Sequence, residues 1–315
     1  MAWQLTTRLG ILLLSLLAAS VLIFLVVQVL PGDPAQVVLG VNATPQALAQ
    51  LRHQMGLDLP VYVRYLAWLG GMLHGDFGTS QVSGAAVGDL VLQKLAVSLP
   101  LALLGTAVAL LLSVPLGVVA GVRYRRLSGT VISALSLGGI AIPAFWGALL
   151  LITVFAIRLK ALPSGGFVQW SDDPAAALRS LLLPAISLGL VQGAILTRYI
   201  RSAIVDVLRE DYIRTARAKG LTQWQSLRRH GFRNAAIPVV TVLGLQLTSL
   251  LVGAIVIENV FFLPGLGRML FQAIGNRDLV VIQATVMLLT GAVLIVNFLV
   301  DVSYRLLDPR IRATR

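Results

Sequence analysis

The chain has 315 residues, of which 57% are hydrophobic and 12% charged, and its mean hydropathy is +0.87. This composition excludes a soluble globular domain and indicates an integral membrane protein. The formal net charge of +12 could suit a nucleic-acid ligand, but the charges are distributed as membrane topology requires, so we expect no nucleic-acid partner. Because the chain lacks cysteine, disulfides, thiolate metal sites and thiol catalysis are excluded.

The first apolar run extends from Leu9 to Leu30 and is interrupted only by Ser15, Ser20 and Gln28. A helix of this length measures about 33 Å, which is enough to cross the hydrocarbon layer. A cleaved signal peptide is the alternative, but its apolar core would be only about 7–15 residues long. We therefore predict a first transmembrane helix.

Residues 31–96 form a long connection that mixes polar and apolar positions. Two dipeptides, Thr44-Pro45 and Leu59-Pro60, predict helix starts with proline at the first helical position. The connection therefore predicts a small helical subdomain rather than a linker.

Further apolar spans follow at about 97–122, 130–157, 181–200, 236–260 and 280–304, which makes six in all. With six spans both termini lie on one side, and that side carries seventeen of the 25 Lys and Arg residues. The positive-inside rule then predicts cytoplasmic termini, a cytoplasmic 206–238 loop and an external 31–96 subdomain.

Prolines interrupt or border several of these spans, at Pro100, Pro115, Pro143 and Pro184. Freed carbonyls are tolerated in a membrane where neighbouring helices or a water-filled path satisfy them. The interruptions predict either a path lined by spans two to five or simple packing kinks.

The 206–238 loop has its own local pattern. No Pro or Gly occurs from Asp206 to Lys219, so we predict a helix that ends with Gly220 just beyond its last residue. Thr222 and Gln225 then predict a capping box that starts a second short helix. Small residues at the turn, together with cations beside it, would let a partner approach the backbone closely. The alternative is an ordinary basic loop that only orients the protein in the membrane.

The chain lacks the motif that a nucleotide-binding loop requires. The three lysines, Lys94, Lys160 and Lys219, are not followed by Ser or Thr, so no Gly-x-x-x-x-Gly-Lys-Ser/Thr sequence exists. No paired carboxylates or nucleophile triad stands out either. We therefore expect no enzyme activity, no cofactor and no metal in this chain, and any ATP and Mg²⁺ would be bound by separate subunits.

Polar and aromatic residues near the end of the fifth span are candidates for a path or an external gate. A charge followed by two aromatic rings could close a constriction by excluding water. The alternatives are an interfacial carboxylate, an aromatic belt that touches lipid, and hydrogen bonds between helices. The candidate residues are Glu258, Phe261, Phe262 and Gln246.

The loop sequence from Asp211 to Leu221, followed by Arg233 to Pro238, strongly resembles the coupling loop of ABC importer permeases of the dipeptide, oligopeptide and nickel class. Signatures similar to those of the same permeases occur in the same order along the whole chain, at Pro31–Pro34, Met55–Asp58, Gly75–Gly78, Pro264–Gly267 and Leu307–Arg310. The position six residues before the glycine is a Glu in the general importer loop and is Arg214 here, as is common in the peptide class.

The resemblance implies an all-α membrane protein with the six-helix type I ABC importer permease fold, in one domain over residues 1–315 of a bacterial inner membrane. It implies a second homologous permease subunit, two cytoplasmic ABC ATPase subunits, and an extracytoplasmic binding protein that delivers di- or oligopeptides or a related small solute. It also implies that the ATPase contacts Asp211, Arg214, Thr215, Ala216, Arg217, Ala218, Lys219 and Gly220.

Three alternatives stay open from the sequence. Within the importer class, the solute could be a nickel chelate rather than a peptide. From a different class, the chain could be a self-sufficient ion-coupled transporter or channel, although its few intramembrane acids disfavour this reading. A purely structural membrane scaffold is the third.

Overall fold

A computed structural model of the chain describes residues 2–29, 34–40 and 43–307. The signatures at 31–34 and 307–310 therefore lie largely outside the described residues, as does the far end of the chain. Throughout the described ranges the secondary structure is helical, with one isolated antiparallel bridge between Thr79 and Ala86 and no β-strand.

The described residues form thirteen α-helices. They are α1 (Ala2–Val29), α2 (Pro34–Leu39), α3 (Pro45–Gln54), α4 (Val61–Leu73), α5 (Val87–Val122), α6 (Leu127–Ala141), α7 (Ala144–Leu151), α8 (Pro174–Arg209), α9 (Asp211–Ala218), α10 (Gln223–Ser226), α11 (Phe232–Val260), α12 (Leu266–Gly275) and α13 (Leu279–Leu307). Two π-helical turns, Ile152–Arg158 and Leu227–Gly231, follow α7 and α10 directly.

Five helical segments within the described ranges are long and apolar enough to cross a membrane: Thr6–Val29, Val87–Val122, Pro174–Arg209, Gln223–Val260 and Leu279–Ser303. A sixth span exists if α6 and α7 are counted together. Several helices also extend beyond the predicted spans. The helix of the second span, α5, starts at Val87 rather than near 97. The helix of the fourth span, α8, occupies 174–209 rather than 181–200.

The predicted span at 130–157 is not one straight helix. α6 and the segment Ala144–Arg158 are bent by 101° relative to each other. Pro143 has no N–H to donate, and it disfavours the helical region for the residue before it. Ile142 accordingly has an extended conformation, with ψ of 119°. The break is therefore a local consequence of one proline.

The two proline-led helix starts have different outcomes. Pro45 is the first residue of α3, as predicted, and the Thr44 hydroxyl accepts a hydrogen bond from the Ala47 N–H. Pro60, however, precedes α4 as its N-cap, so that helix begins at Val61.

The described chain divides into two compact units. The first comprises Met1–Ser98 and Pro264–Ile295. Its core joins the first turns of α5 to α12 and to the start of α13, through Val87 and Val91, Leu266 and Met269, and Ile282.

The second unit comprises Leu99–Leu263 and Val296–Arg315. Its core is centred on α8, where Leu196, Ile200 and Ile204 pack with Ala109 and Val118 of α5. Glycines permit this approach. A Cβ on Gly117 would lie 2.6 Å from the Ile200 Cβ, and one on Gly121 would lie 2.6 Å from the Ile204 Cβ.

Candidate functional site

The 206–238 segment is held by the end of α8. That helix stops at Arg209, and Glu210 has an extended conformation, with φ of −66° and ψ of 145°. A new helix, α9, begins at once with Asp211. The sequence predicted continuous helix through this point, and the break redirects the chain so that α9 packs back on the core.

One face of α9 is buried in the second unit. Ile213 is fully buried and belongs to the same core cluster as Leu227 and Val207. Ala216, one turn later, is 7% exposed. The Ala216 side chain is therefore buried and does not contribute to an outer surface.

The turn after α9 has the predicted geometry. Gly220 has φ of +92°, in the left-handed region that favours glycine, and its N–H donates to the Arg217 carbonyl. The capping box that starts α10 is also confirmed: the Gln225 N–H donates to the Thr222 hydroxyl at 3.3 Å, and the Thr222 N–H donates to Gln225 Oε1 at 2.9 Å.

Contacts that the sequence pattern did not single out brace this turn. The Asn234 amide donates to the Tyr212 hydroxyl at 2.9 Å, which ties α9 to the start of α11. The Trp224 and Phe232 rings pack edge to face at 5.9 Å. A Cβ on Gly231 would lie 2.8 Å from Leu227 Cδ1, so only glycine fits there without a shift. In the sequence, only its place in the signature that ends at Pro238 indicated that Asn234 has a role.

The outer face of the turn is exposed and cationic. Arg214 Nη1 lies 3.3 Å from Asp211 Oδ1, but both side chains are mostly exposed, so this ion pair contributes little stability. The remaining candidates from the coupling segment are also exposed: Thr215, Arg217, Ala218, Lys219 and Gly220. The structure therefore presents a small-residue turn rimmed by cations on a rigid base.

The candidate gate lies at the end of α11, which closes with a left-handed turn. The Leu263 N–H donates to the Glu258 carbonyl, and the Phe262 N–H donates to the Asn259 carbonyl. This is the hydrogen-bond pattern of a Schellman motif, with Phe262 at φ of +53° where glycine is usual. Phe261 is fully buried, whereas Phe262 is 64% exposed, so only one of the two rings faces outward.

The other two path candidates differ in burial. Glu258 is 1% exposed. Gln246 is half-buried, and its Nε2 has no hydrogen-bond partner among the described residues. The Phe261 carbonyl accepts from the Gly166 N–H at 2.9 Å, which fixes the loop after the broken third span to the end of α11. Over the same ranges no cluster of three or more His, Cys, Asp or Glu side chains could hold a metal ion.

Nearly the whole chain matches two family models for components of one kind of transport system. Residues 113–313 match the family described as the binding-protein-dependent transport system inner membrane component, and residues 1–101 match the N-terminal region of such membrane components. The chain belongs to this family of binding-protein-dependent inner-membrane transport components.

Relatives over nearly the full length have names from peptide transport. A chain named as a peptide transport system permease protein, from Brucella abortus, is 40% identical over 94% of this chain and 95% of its own. A glutathione transport system permease protein from Salmonella choleraesuis is 41% identical over 95% of each chain. The resemblance to ABC importer permeases of the peptide class is therefore confirmed.

The fold is similar to that of a solved ABC transporter. A chain of the MetNI methionine ABC transporter, crystallised in inward-facing conformations, aligns with a TM-score of 0.54 at 20% identity, over 70% of this chain and 96% of that chain. The architecture is accordingly the type I ABC importer permease fold. The chain is an inner-membrane permease component of a binding-protein-dependent ABC transport system.

Proposed function

We propose that this chain is one of two homologous permease subunits of an ATP-driven importer for di- or oligopeptides, with residues 1–315 forming one permease domain. The relatives named for peptide and glutathione transport favour a peptide over a nickel chelate. The observation that carries the proposal is the exposed, cationic turn at Arg214–Gly220 on a buried base, in a chain of this family.

The energy for transport comes from partner subunits. The chain has no Gly-x-x-x-x-Gly-Lys-Ser/Thr sequence, so ATP and Mg²⁺ bind to two cytoplasmic ABC ATPase subunits. An extracytoplasmic binding protein delivers the solute to the opposite face. This division of labour agrees with the family to which the chain belongs.

The turn at Arg214–Gly220 couples the permease to an ATPase. Ala218 and Gly220 leave the backbone accessible, while Arg214, Arg217 and Lys219 favour an acidic rim on the partner. Because Ile213 packs α9 into the core and Ala216 is buried, displacement of the turn is transmitted to α8 and α11 instead of being lost in a flexible loop.

Both termini and the 206–238 loop are cytoplasmic, and the 31–96 subdomain is external. The excess of Lys and Arg on the proposed inner side supports this orientation. The absence of native cysteine makes it testable. In intact spheroplasts, a membrane-impermeant thiol reagent should label a cysteine at Ala175, at the first turn of α8, but not one at Ala218 beyond its other end; the reverse pattern would contradict this orientation.

The end of α11 forms an external gate. Phe262 is exposed and can exclude water from a narrow opening, while Glu258 and Phe261 shape the wall behind it. Gln246 lies deeper along the same helix and would line the path. Cysteine at position 262 should change its reactivity with the same reagent when the ATPases are trapped with nucleotide. Equal labelling with and without trapped nucleotide would contradict the assignment of Phe262 to a gate.

Reconstituted transport tests the whole proposal. The complete transporter in proteoliposomes should accumulate labelled peptide only with ATP and the binding protein. Ala218→Trp adds bulk to an exposed helical position without straining the backbone, and it should abolish uptake and coupled ATP hydrolysis. Ala175→Trp, also at an exposed helical position, is the matched control and should transport normally. Normal transport by Ala218→Trp would refute the coupling role, and uptake driven by an ion gradient alone would refute the importer.

A further inference from the structure

Helix α4 carries an apolar stripe that the rest of the described chain leaves uncovered. Tyr62, Leu66 and Leu73 are 68%, 61% and 79% exposed. An α-helix turns by about 100° per residue, so these three side chains lie within about 40° of one another around the helix axis. They form one continuous line along α4, which we call the α4 stripe.

The preceding helix of the same unit has a different surface. Most exposed residues of α3 are polar or charged, namely Gln46, Gln50, Arg52, His53 and Gln54. In α4 the one charged residue is Arg64, and it is half-buried. A polar surface suits water, whereas a line of large exposed apolar side chains marks contact with a membrane or a protein.

A neighbouring side of α4 is attached to the membrane-spanning helix α1. Ser20 Oγ donates to the Leu17 carbonyl at 2.8 Å, so the Tyr65 hydroxyl is the donor in its 2.8 Å hydrogen bond with Ser20 Oγ. The Phe24 ring packs against the Tyr65 ring at 5.4 Å and against the Trp68 ring at 5.9 Å. Ser20 and Phe24 are both buried. The contact is therefore closed to solvent.

This contact sets the depth of α4 in the bilayer. The hydrocarbon layer is about 30 Å thick, which corresponds to about 20 helical residues. Counted from the charged Arg8, those residues of α1 end near Gln28. Along the helix, Phe24 then lies about 6 Å below that boundary and Ser20 about 12 Å below it. The rings of α4 that contact them therefore reach into the hydrocarbon layer.

The length and composition of α4 agree with that depth. The helix has 13 residues and measures about 20 Å, which is too short to cross the hydrocarbon layer. Short amphipathic helices with aromatic residues lie in the plane of the interface, with their apolar face about 5–10 Å below it. Arg64 is about 180° from Leu73 around the axis, so its guanidinium can reach the headgroups while the stripe faces inward.

We infer that α4 lies within one leaflet of the bilayer, with the α4 stripe against lipid acyl chains and Arg64 towards the headgroups. Lipid is the occupant because α4 is bound to the part of α1 that crosses the hydrocarbon layer, where Leu22 and Val26 of α1 are also exposed. The 31–96 subdomain is thus anchored on the membrane by α4, while α3 stays in water. The proposed orientation makes this the outer leaflet, but the depth depends neither on that orientation nor on the solute.

Spin-label accessibility measures this depth without requiring transport. The chain has no native cysteine, so single nitroxide labels can be attached after Leu66→Cys on the α4 stripe and Gln50→Cys on α3. Both are exposed helical positions of one subdomain, which makes the second a matched control. Leu22→Cys on α1 is the lipid reference. Power-saturation EPR of the assembled transporter in lipid vesicles, without binding protein, compares O2, which concentrates in hydrocarbon, with chromium oxalate, which stays in water.

The label at position 66 should be several-fold more accessible to O2 than to chromium oxalate, as at position 22, and the label at position 50 should show the reverse. If position 66 is as accessible to chromium oxalate as position 50, α4 lies in water and the inference is wrong. If it is shielded from both reagents, the second permease subunit or another protein covers the stripe, and the inference is equally wrong.

A charge on the stripe gives a test that needs no label. Leu66→Asp should lower the amount of assembled transporter in the membrane several-fold, because a carboxylate within the hydrocarbon layer is strongly disfavoured. Gln50→Asp introduces the same charge on α3 and should leave that amount unchanged. Equal amounts of the two variants would contradict the placement of α4 in the bilayer.

Discussion

Helices α1 and α8 both span the apolar layer, yet they are packed in opposite ways. Only 17% of the most apolar window of α1 is buried, compared with 67% for α8. The more apolar helix is thus the more exposed one, because lipid and protein interior are equally apolar solvents for Leu and Val.

Small residues, rather than hydropathy, mark the packed helix. Gly189 and Gly193 of α8 face Gly105 and Ala109 of α5, and a Cβ on Gly189 would lie 2.9 Å from the Gly105 carbonyl oxygen. In contrast, a Cβ on Gly10 of α1 would meet nothing within 4 Å. Close backbone approach gives the dispersion contacts that replace the hydrophobic effect inside a membrane.

The largest effect is expected where this packing is broken. Gly117→Leu forces a side chain into Ile200 and the Thr197 carbonyl, which lies 3.0 Å from the site of the new Cβ. Overpacking of a tight core costs about 1–3 kcal/mol or more, so we expect little folded protein by size-exclusion chromatography. Gly10→Leu is the matched control and should leave the yield unchanged. Equal yields of the two variants would contradict the claim that α8 is tightly packed and α1 is not.

A smaller loss is expected from a buried polar contact in the first unit. Asp278 precedes α13 and accepts from the Val281 N–H as well as from the 80–82 loop. Asp278→Ala should lower the free energy of unfolding by about 2 kcal/mol, measured by SDS denaturation in mixed micelles. Asp172→Ala, at an exposed position, is the control. If Asp278→Ala lowers the free energy of unfolding no more than the control does, apolar packing rather than Asp278 holds the 80–82 loop in place.

A single interhelical hydrogen bond should contribute less. The Thr248 hydroxyl donates to Asn297 Oδ1 at 3.3 Å, between α11 and α13. Thr248→Val should cost about 0.6 kcal/mol, the average for such bonds in a membrane. In Thr153→Val the lost hydroxyl bonds only to its own helix, at the Leu149 carbonyl, so the same denaturation should show no loss. If Thr248→Val lowers the free energy of unfolding more than Asp278→Ala does, the predicted order of the two effects is wrong.

The smallest effect concerns a surface pair. The hydrogen bond and then the charge of Asp58 raise the pKa of His53 above 6.5, and the same hydrogen bond lowers the pKa of Asp58. The pair is therefore complete between these two pKa values. It is lost as pH rises through that of His53 or falls through that of Asp58. Asp58→Asn should return the His53 pKa towards 6.5 by NMR titration, with hardly any change in stability. An unchanged titration would show that the pair does not form.

Local sequence patterns predicted those features that depend on a few neighbouring residues. The capping box at Thr222 and Gln225, the left-handed Gly220 and the start of α3 at Pro45 are all of this kind. The angle at Pro143 was not predictable, because a proline marks a break but tertiary packing sets its size.

Long-range contacts explain the other points at which the structure differs from the sequence prediction. The inward direction of Ala216 depends on where α8 ends, and that end is set by the packing of Ile213 on residues far along the chain. The contact between Ser80 and Asp278 joins positions 198 residues apart, and no local pattern encodes it. Such contacts hold the 80–82 loop in place, and the sequence alone did not reveal them.

Site-specific cross-linking tests the coupling role of the Arg214–Gly220 turn most directly. A cysteine at Ala218, carrying a short photoactivatable cross-linker, should join the ATPase subunit in the assembled transporter. The same label at Ala175 lies at the start of α8, a 36-residue helix about 54 Å long that ends just before α9, and should not. ATPase cross-linked only from position 218 is the predicted result. Cross-linking from position 175, or from neither position in an active complex, would contradict the coupling assignment.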